Sequence, residues 1–246
     1  MTQNRHALEE FKQFPVVCGQ EVVSKSGDHL FLYRALLQNR SGATVDAAII
    51  RGYGDDAWKA FSLVALDTPD ATEITTEIQA NTPTTLFSAN NDGLLIGAKD
   101  QFHSVTLNAS TAATGSPVFT LEYYNGTAYV TLPSIKVITG ISLTQYAETI
   151  LFAAPLDWEK GTTVAVGGET DQYNMKLTAT TAPTVKPIVT EIIVGKVLAF
   201  QEALADNGNL EIIMDNEDPI VFEANDFLTA YFATANPNNL IQFSYA

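Results

Sequence analysis

Three acidic side chains within four positions, Asp215, Glu217 and Asp218, form the densest set of groups able to do acid–base work in this sequence. A glycosidase needs two carboxyls facing one another across a cleft. On a short stretch ahead of Pro219, these three are expected to form a solvated turn instead. Together with Asp206 and Asn209 they offer hard oxygen ligands of the kind Ca²⁺ takes, but the Gly and Glu positions of an EF-hand loop are missing. The histidines, His6, His29 and His103, lack the spacing of a metal motif. The single cysteine, Cys18, excludes a Cys–His zinc centre and an intrachain disulfide. Nucleophile elbow, P-loop and dinucleotide fingerprint are all missing, and Arg51-Gly52-Tyr53-Gly54 reads as a turn. The expectation is a protein that is not an enzyme and has no catalytic residue, cofactor or metal. Tyr123, Tyr124, Tyr129 and Trp158 remain as a candidate aromatic surface for a sugar, or as core and cross-strand pairs.

The elements that must position these residues read mostly as strands. Residues 4–13 predict a short helix, with Asn4 as cap and Leu8 and Phe11 on one face. From residue 16 onward, short apolar runs alternate with Gly, Asn, Ser and Pro punctuation, as all-β proteins require. Ser41-Gly42, between Leu36-Leu37 and Val45–Ile50, predicts a hairpin. Asn125-Gly126, between Phe119–Tyr124 and Tyr129–Leu132, predicts a second, because both residues tolerate positive φ. Residues 65–93 read as a connection holding one isolated strand near Glu73–Ile78. Residues 197–205 have good helix propensity over Phe200–Ala205, but the Asn-Gly that follows suits a hairpin, and they are assigned to strand.

The bulk numbers narrow the classes. Of 246 residues, 46% are hydrophobic and only 17% charged, against roughly 25% charged in ordinary soluble domains. A folded chain with a neutral polar exterior follows. The formal charge is −15, from 28 acidic and 13 basic side chains, which argues against direct nucleic-acid binding and against anionic membranes. No basic-then-apolar leader opens the sequence, and no apolar run approaches the ~20 residues of a membrane span.

The order of features over residues 91–190 resembles a β-sandwich module of bacteriophage virion proteins. Asn91-Asp92-Gly93-Leu94-Leu95-Ile96-Gly97 leads to Phe102 and Val105-Thr106-Leu107. Glu122-Tyr123-Tyr124-Asn125-Gly126 then matches an EYWNG-type hairpin. Phe152, Pro155 and Asp157-Trp158 match its F-x-x-P-x-D-W turn, and Tyr173 opens its late strand. Tyr124 stands where the module has Trp, and Tyr173-Asn174-Met175-Lys176 replaces its Y-W-x-R strand. The flanks, Leu32–Val45 and Phe222–Tyr231, are similar to the opening and closing strands of a second small phage sandwich.

The resemblance implies an all-β fold of two packed, jelly-roll-like β-sandwich domains with a short N-terminal helix. Residues 1–85 plus 188–246 would form one domain, and residues 86–187 would be inserted in it; three units in series is the alternative. It implies a virion structural protein, foremost a capsid decoration (cement) protein assembled in the host cytoplasm. Its partners would be the major capsid protein or other virion proteins and copies of itself, a trimer included. A tail, baseplate or fibre-base protein and a carbohydrate-binding adhesin are the alternatives. Leu8, Phe11, Ile241 and Phe243 are the expected partner contacts.

Overall fold

The computed structural model describes residues 10–15, 21–24, 30–65, 67–132, 135–136, 141–145, 147–162, 170–214, 220–223, 225–233 and 239–245. It is all-β, with several antiparallel sheets. The strands begin with β1 (Glu10–Pro15), β2 (Glu21–Ser24), β3 (Leu30–Gln38), β4 (Val45–Gly52), β5 (Trp58–Val64), β6 (Asp67–Glu73) and β7 (Thr84–Thr85). They continue with β8 (Gly93–Ala98), β9 (Ser104–Thr111), β10 (Val118–Tyr124), β11 (Tyr129–Thr131), β12 (Ile135–Lys136), β13 (Ala147–Phe152) and β14 (Lys160–Thr162). The last are β15 (Thr170–Thr181), β16 (Ile188–Leu204), β17 (Asn209–Ile213), β18 (Ile220–Phe222), β19 (Phe227–Phe232) and β20 (Leu240–Tyr245).

The chain divides into two compact units. Unit 1 is Met1–Gly54 with Lys196–Ala246, and unit 2 is Asp55–Gly195. The division therefore falls at 54/55 and 195/196, not at 85/86 and 187/188. β16 crosses it: the strand contributes Ile188–Gly195 to unit 2 and Lys196–Leu204 to unit 1.

In unit 1, one sheet runs β1-β20-β3-β17, with β18 also on β3. The other runs from β16 through β4 and β19 to β2. One apolar cluster joins them: Leu37 and Ala35 of β3 and Ile241 and Phe243 of β20 meet Ala47 and Ile49 of β4 and Ala230 and Phe232 of β19. The alternation of β3 changes phase at Tyr33. Arg34 pairs with Ser244 but Leu32 with Tyr245, and this extra residue turns Leu32 inward. Burying one side chain such as Phe232 contributes about 1.5–3 kcal/mol.

Several expectations are corrected here. Glu10–Gln13, the second half of the expected helix, are strand paired to Lys12-facing Phe243 and its neighbours in β20, so sheet pairing overrides local helix propensity. Residues 1–9 lie outside the described residues. Ser41-Gly42 does not close a hairpin, because β3 and β4 belong to different sheets. The chain arches across the core there, and it arches again at Asp206-Asn207-Gly208 between β16 and β17. Asn39, fully buried, ties the two arches together: its Nδ2 donates to the carbonyls of Ala43 (2.7 Å), Leu204 (2.9 Å) and Ala205 (3.0 Å). The segment expected as a strand at Glu73–Ile78 contains a short helix, α1 (Thr75–Gln79). Ile74 and Ile78, four apart, are both buried, which is helical spacing rather than strand spacing.

In unit 2, a seven-stranded sheet runs β11-β10-β15-β8-β5-β6, with β14 on β15. A second group runs β12-β13-β9 to the start of β16, with β7 on β16. All six residues of β8 are buried, so the larger sheet is covered on both faces at its centre.

Candidate functional site

The aromatic candidates sit around the hairpin β10–β11. Successive strand residues point to opposite faces, and this separates the set into two pairs. Tyr123 and Trp158 are 5% and 3% exposed. The Trp158 ring lies 4.9 Å from Phe102, 5.8 Å from Tyr173, 6.0 Å from Phe152 and 6.3 Å from Tyr123, between ring centroids. Its Nε1 donates to the carbonyl of Asn174 at 3.1 Å, and Tyr123 Oη donates to Asp157 at 2.8 Å. That hydrogen bond to Asp157, with desolvation, pushes the Tyr123 hydroxyl up from its ordinary pKa.

Tyr124 and Tyr129 are half-buried on the other face, with centroids 5.6 Å apart. The register places Glu122, Lys176, Leu95 and Phe61 on that same face. Lys176 Nζ stands 4.6 Å from the Tyr129 centroid and 2.9 Å from Glu122 Oε2. Burial pushes Tyr129 well up, helped by Tyr124 and Glu122. Tyr124 Oη donates to the Gly126 carbonyl at 2.9 Å. Four aromatics on one ligand-binding surface is therefore not the arrangement found.

The hairpin itself differs from a two-residue Asn-Gly turn. Only Gly126 has positive φ (+87°), and the connection spans 125–128. Asn125 acts through its side chain, with Oδ1 accepting from Thr127 N (3.1 Å) and Ala128 N (2.9 Å).

Ile241 and Phe243, expected as partner contacts, are 0% and 1% exposed and belong to the core of unit 1. They are the inward members of β20, which lies between β1 and β3. Phe11 stands opposite Ser244 in the β1–β20 ladder. Leu8, Asp215, Glu217, Asp218, His6, His29 and Cys18 lie outside the described residues. Asp206 is exposed and accepts from Gly42 N at 2.9 Å and Asn207 Nδ2 at 2.8 Å, so it closes the arches of unit 1. Asn209 is exposed at the start of β17. His103 lies ahead of β9, its backbone N–H donating to Gly195. Among the described residues, no group of three or more His, Cys, Asp or Glu could hold a metal ion. No described helix is long and apolar enough to cross a membrane.

Sequence reasoning missed three features. On the outer side of the β3 sheet, Phe31, Val221 and Ile213 are exposed at 37%, 36% and 71%, with Phe31 directly opposite Val221. In unit 1, Asp226 is 3% exposed and ion-paired to Arg51, and it also accepts from Gly54 N and Glu223 N, both at 2.9 Å. In unit 2, Glu148 is 5% exposed and accepts from Ser142 N at 2.8 Å and Leu143 N at 2.7 Å. The signal for Glu148 was a lone acid in the apolar strand Ala147–Phe152.

Burial pushes the Glu148 carboxyl above its ordinary value, against the lowering effect of the hydrogen bonds from Ser142 and Leu143. The folded chain thus holds this proton more tightly than the unfolded chain. The stabilisation is complete below the unfolded value and is lost as pH rises through the raised native one. Relative to Glu148→Gln, the unmodified protein should lose stability as pH rises from the acid range toward neutrality. Urea unfolding at a series of pH values measures this, and parallel profiles for the two proteins would remove the assignment.

No family model matches the chain, and a search of curated proteins finds no match.

Proposed function

We propose that this chain is a non-enzymatic structural protein of a bacteriophage particle, a decoration protein that docks on the head shell and bridges neighbouring capsid subunits. In this reading it is built as two jelly-roll-like sandwiches, with residues of the module-like stretch forming the inserted one. The observation that carries the reading is the cluster around Trp158. Phe102, Tyr123, Phe152, Trp158 and Tyr173, the residues on which the virion-module resemblance rests, come from distant positions and meet in one core. A signature made of core residues describes a fold, and the shell role is what the resemblance to virion modules adds to it.

The physical task is to oppose the pressure of packed genome by tying subunits together. Many copies turn individually modest contacts into strong overall attachment. The acidity of the chain, 28 acidic against 13 basic residues, suits docking on protein rather than on nucleic acid. The partners are the major capsid protein and further copies of this chain, a trimer at the shell three-folds among the arrangements.

The test is immunogold labelling of purified particles of the encoding phage, with an antibody to this chain. Label on the heads is expected. Label confined to tails would move the protein to the tail, and unlabelled particles would end the virion reading.

A further inference from the structure

The sequence contains two Asn-Gly pairs, Asn125-Gly126 and Asn207-Gly208, and the fold gives them opposite surroundings. We propose that Asn125 is a site of intramolecular amide loss, where the Gly126 backbone nitrogen closes a succinimide onto the Asn125 side chain, and that Asn207 is protected from the same reaction.

At Asn125 the side-chain carbonyl is polarised. Oδ1 accepts from two backbone N–H groups, Thr127 at 3.1 Å and Ala128 at 2.9 Å. These donors draw charge from Cγ and hold the negative oxygen that forms when Cγ is attacked. The attacking residue has φ +87°, and a Cβ at Gly126 would stand 3.0 Å from Glu159 Oε2. The Glu159 carboxylate is thus placed beside Gly126. Glu159 is exposed, and its own backbone N–H donates to Tyr124 at 3.2 Å, which fixes it next to the hairpin.

The reaction balances as follows. Glu159 takes the Gly126 N–H proton, directly or through a solvent water, and the Gly126 nitrogen forms a bond to Asn125 Cγ. The carbonyl electrons move to Oδ1. When they return, the Cγ–Nδ2 bond breaks, and Nδ2 leaves as ammonia with the proton that Glu159 holds. Solvent water then opens the ring at either carbonyl, giving aspartate or isoaspartate. Nothing is oxidised or reduced.

At Asn207 the equivalent nucleophile is engaged: Gly208 N–H donates to the Ala205 carbonyl at 2.8 Å. The leaving amide is held too, since Asn207 Nδ2 donates to Asp206 Oδ2 at 2.8 Å. Asn207 is exposed whereas Asn125 is half-buried, so exposure alone predicts the reverse order of reactivity.

The experiment ages the full-length folded protein in mildly alkaline buffer and maps peptides by mass spectrometry, with isoaspartyl methyltransferase labelling as a second readout. Asn125 is expected to convert several-fold faster than Asn207. In urea-unfolded protein the two sites should convert at similar rates. Glu159→Gln should slow Asn125 several-fold and leave Asn207 unchanged. Equal or faster conversion at Asn207 in the folded chain would overturn the proposal. So would an intact Asn125 over a period in which the unfolded chain reacts, and an unaltered Asn125 rate in Glu159→Gln would remove the base.

Discussion

Trp158→Ala is expected to destabilise unit 2 by about 3–5 kcal/mol, the range for emptying a large aromatic site in a packed core. The indole is 3% exposed and packs against Phe102, Tyr123, Phe152 and Tyr173. Its removal also leaves the Asn174 carbonyl without the Nε1 donor. Urea unfolding followed by far-ultraviolet circular dichroism measures the loss, through a signal of the strands that does not depend on the removed indole. Trp158→Phe keeps part of the volume but not the donor and should fall between. Tyr124→Ala, on the opposite face of the same hairpin, should cost distinctly less. A loss below about 1 kcal/mol for Trp158→Ala would mean that these rings are not the core of the unit.

The second large effect is expected at Asp226. Asp226→Ala should cost about 3–5 kcal/mol, as for other buried ion pairs deprived of one partner. Arg51, 20% exposed, keeps its charge near the rings of Tyr53 and Phe222, at 6.0 and 5.6 Å, but loses its carboxylate. The N–H groups of Gly54 and Glu223 lose their acceptor at the same time. Arg51→Met alone should also be costly, and the double variant Arg51→Met, Asp226→Ala should recover part of the deficit, because no unpaired charge then remains. Denaturant titration of the four proteins completes the cycle. Additive single effects would show that the two side chains do not act as a pair.

The all-β class was legible in the sequence because alternation and turn residues are local signals. Which sheet a strand joins is not local. Ser41-Gly42 and Asn207-Gly208 are good turn chemistry, but the same residues serve a hairpin and an arch between sheets. The helix expected at residues 4–13 failed over Glu10–Gln13 because its competitor, the ladder to β20, is made of residues far along the chain. The boundary near residue 195 carries only the lone Gly195, which does not interrupt the strand, since it falls inside β16. The Pro183 and Pro187 signals precede a strand whose first residues still pair with β9. The aromatic set was found but not sorted. Tyr123 and Tyr124 are neighbours in sequence and lie on opposite sides of a sheet, so their roles follow from strand geometry rather than from composition. Ile241 and Phe243 were mistaken for contact residues because an apolar strand near the end of a sequence looks the same whether it faces a neighbour or its own core.

The way unit 1 is divided along the chain also shapes how it is born on the ribosome. Leu37 lies between Leu210 and Ile241 in its sheet, and both of these are synthesised only after the whole of Asp55–Gly195. The early segment must wait with bare backbone edges while the intervening unit is completed, which makes such a chain slow to mature and prone to stray pairing. Translation arrested before Leu240 would leave β3 bare along one side, a template for another nascent chain.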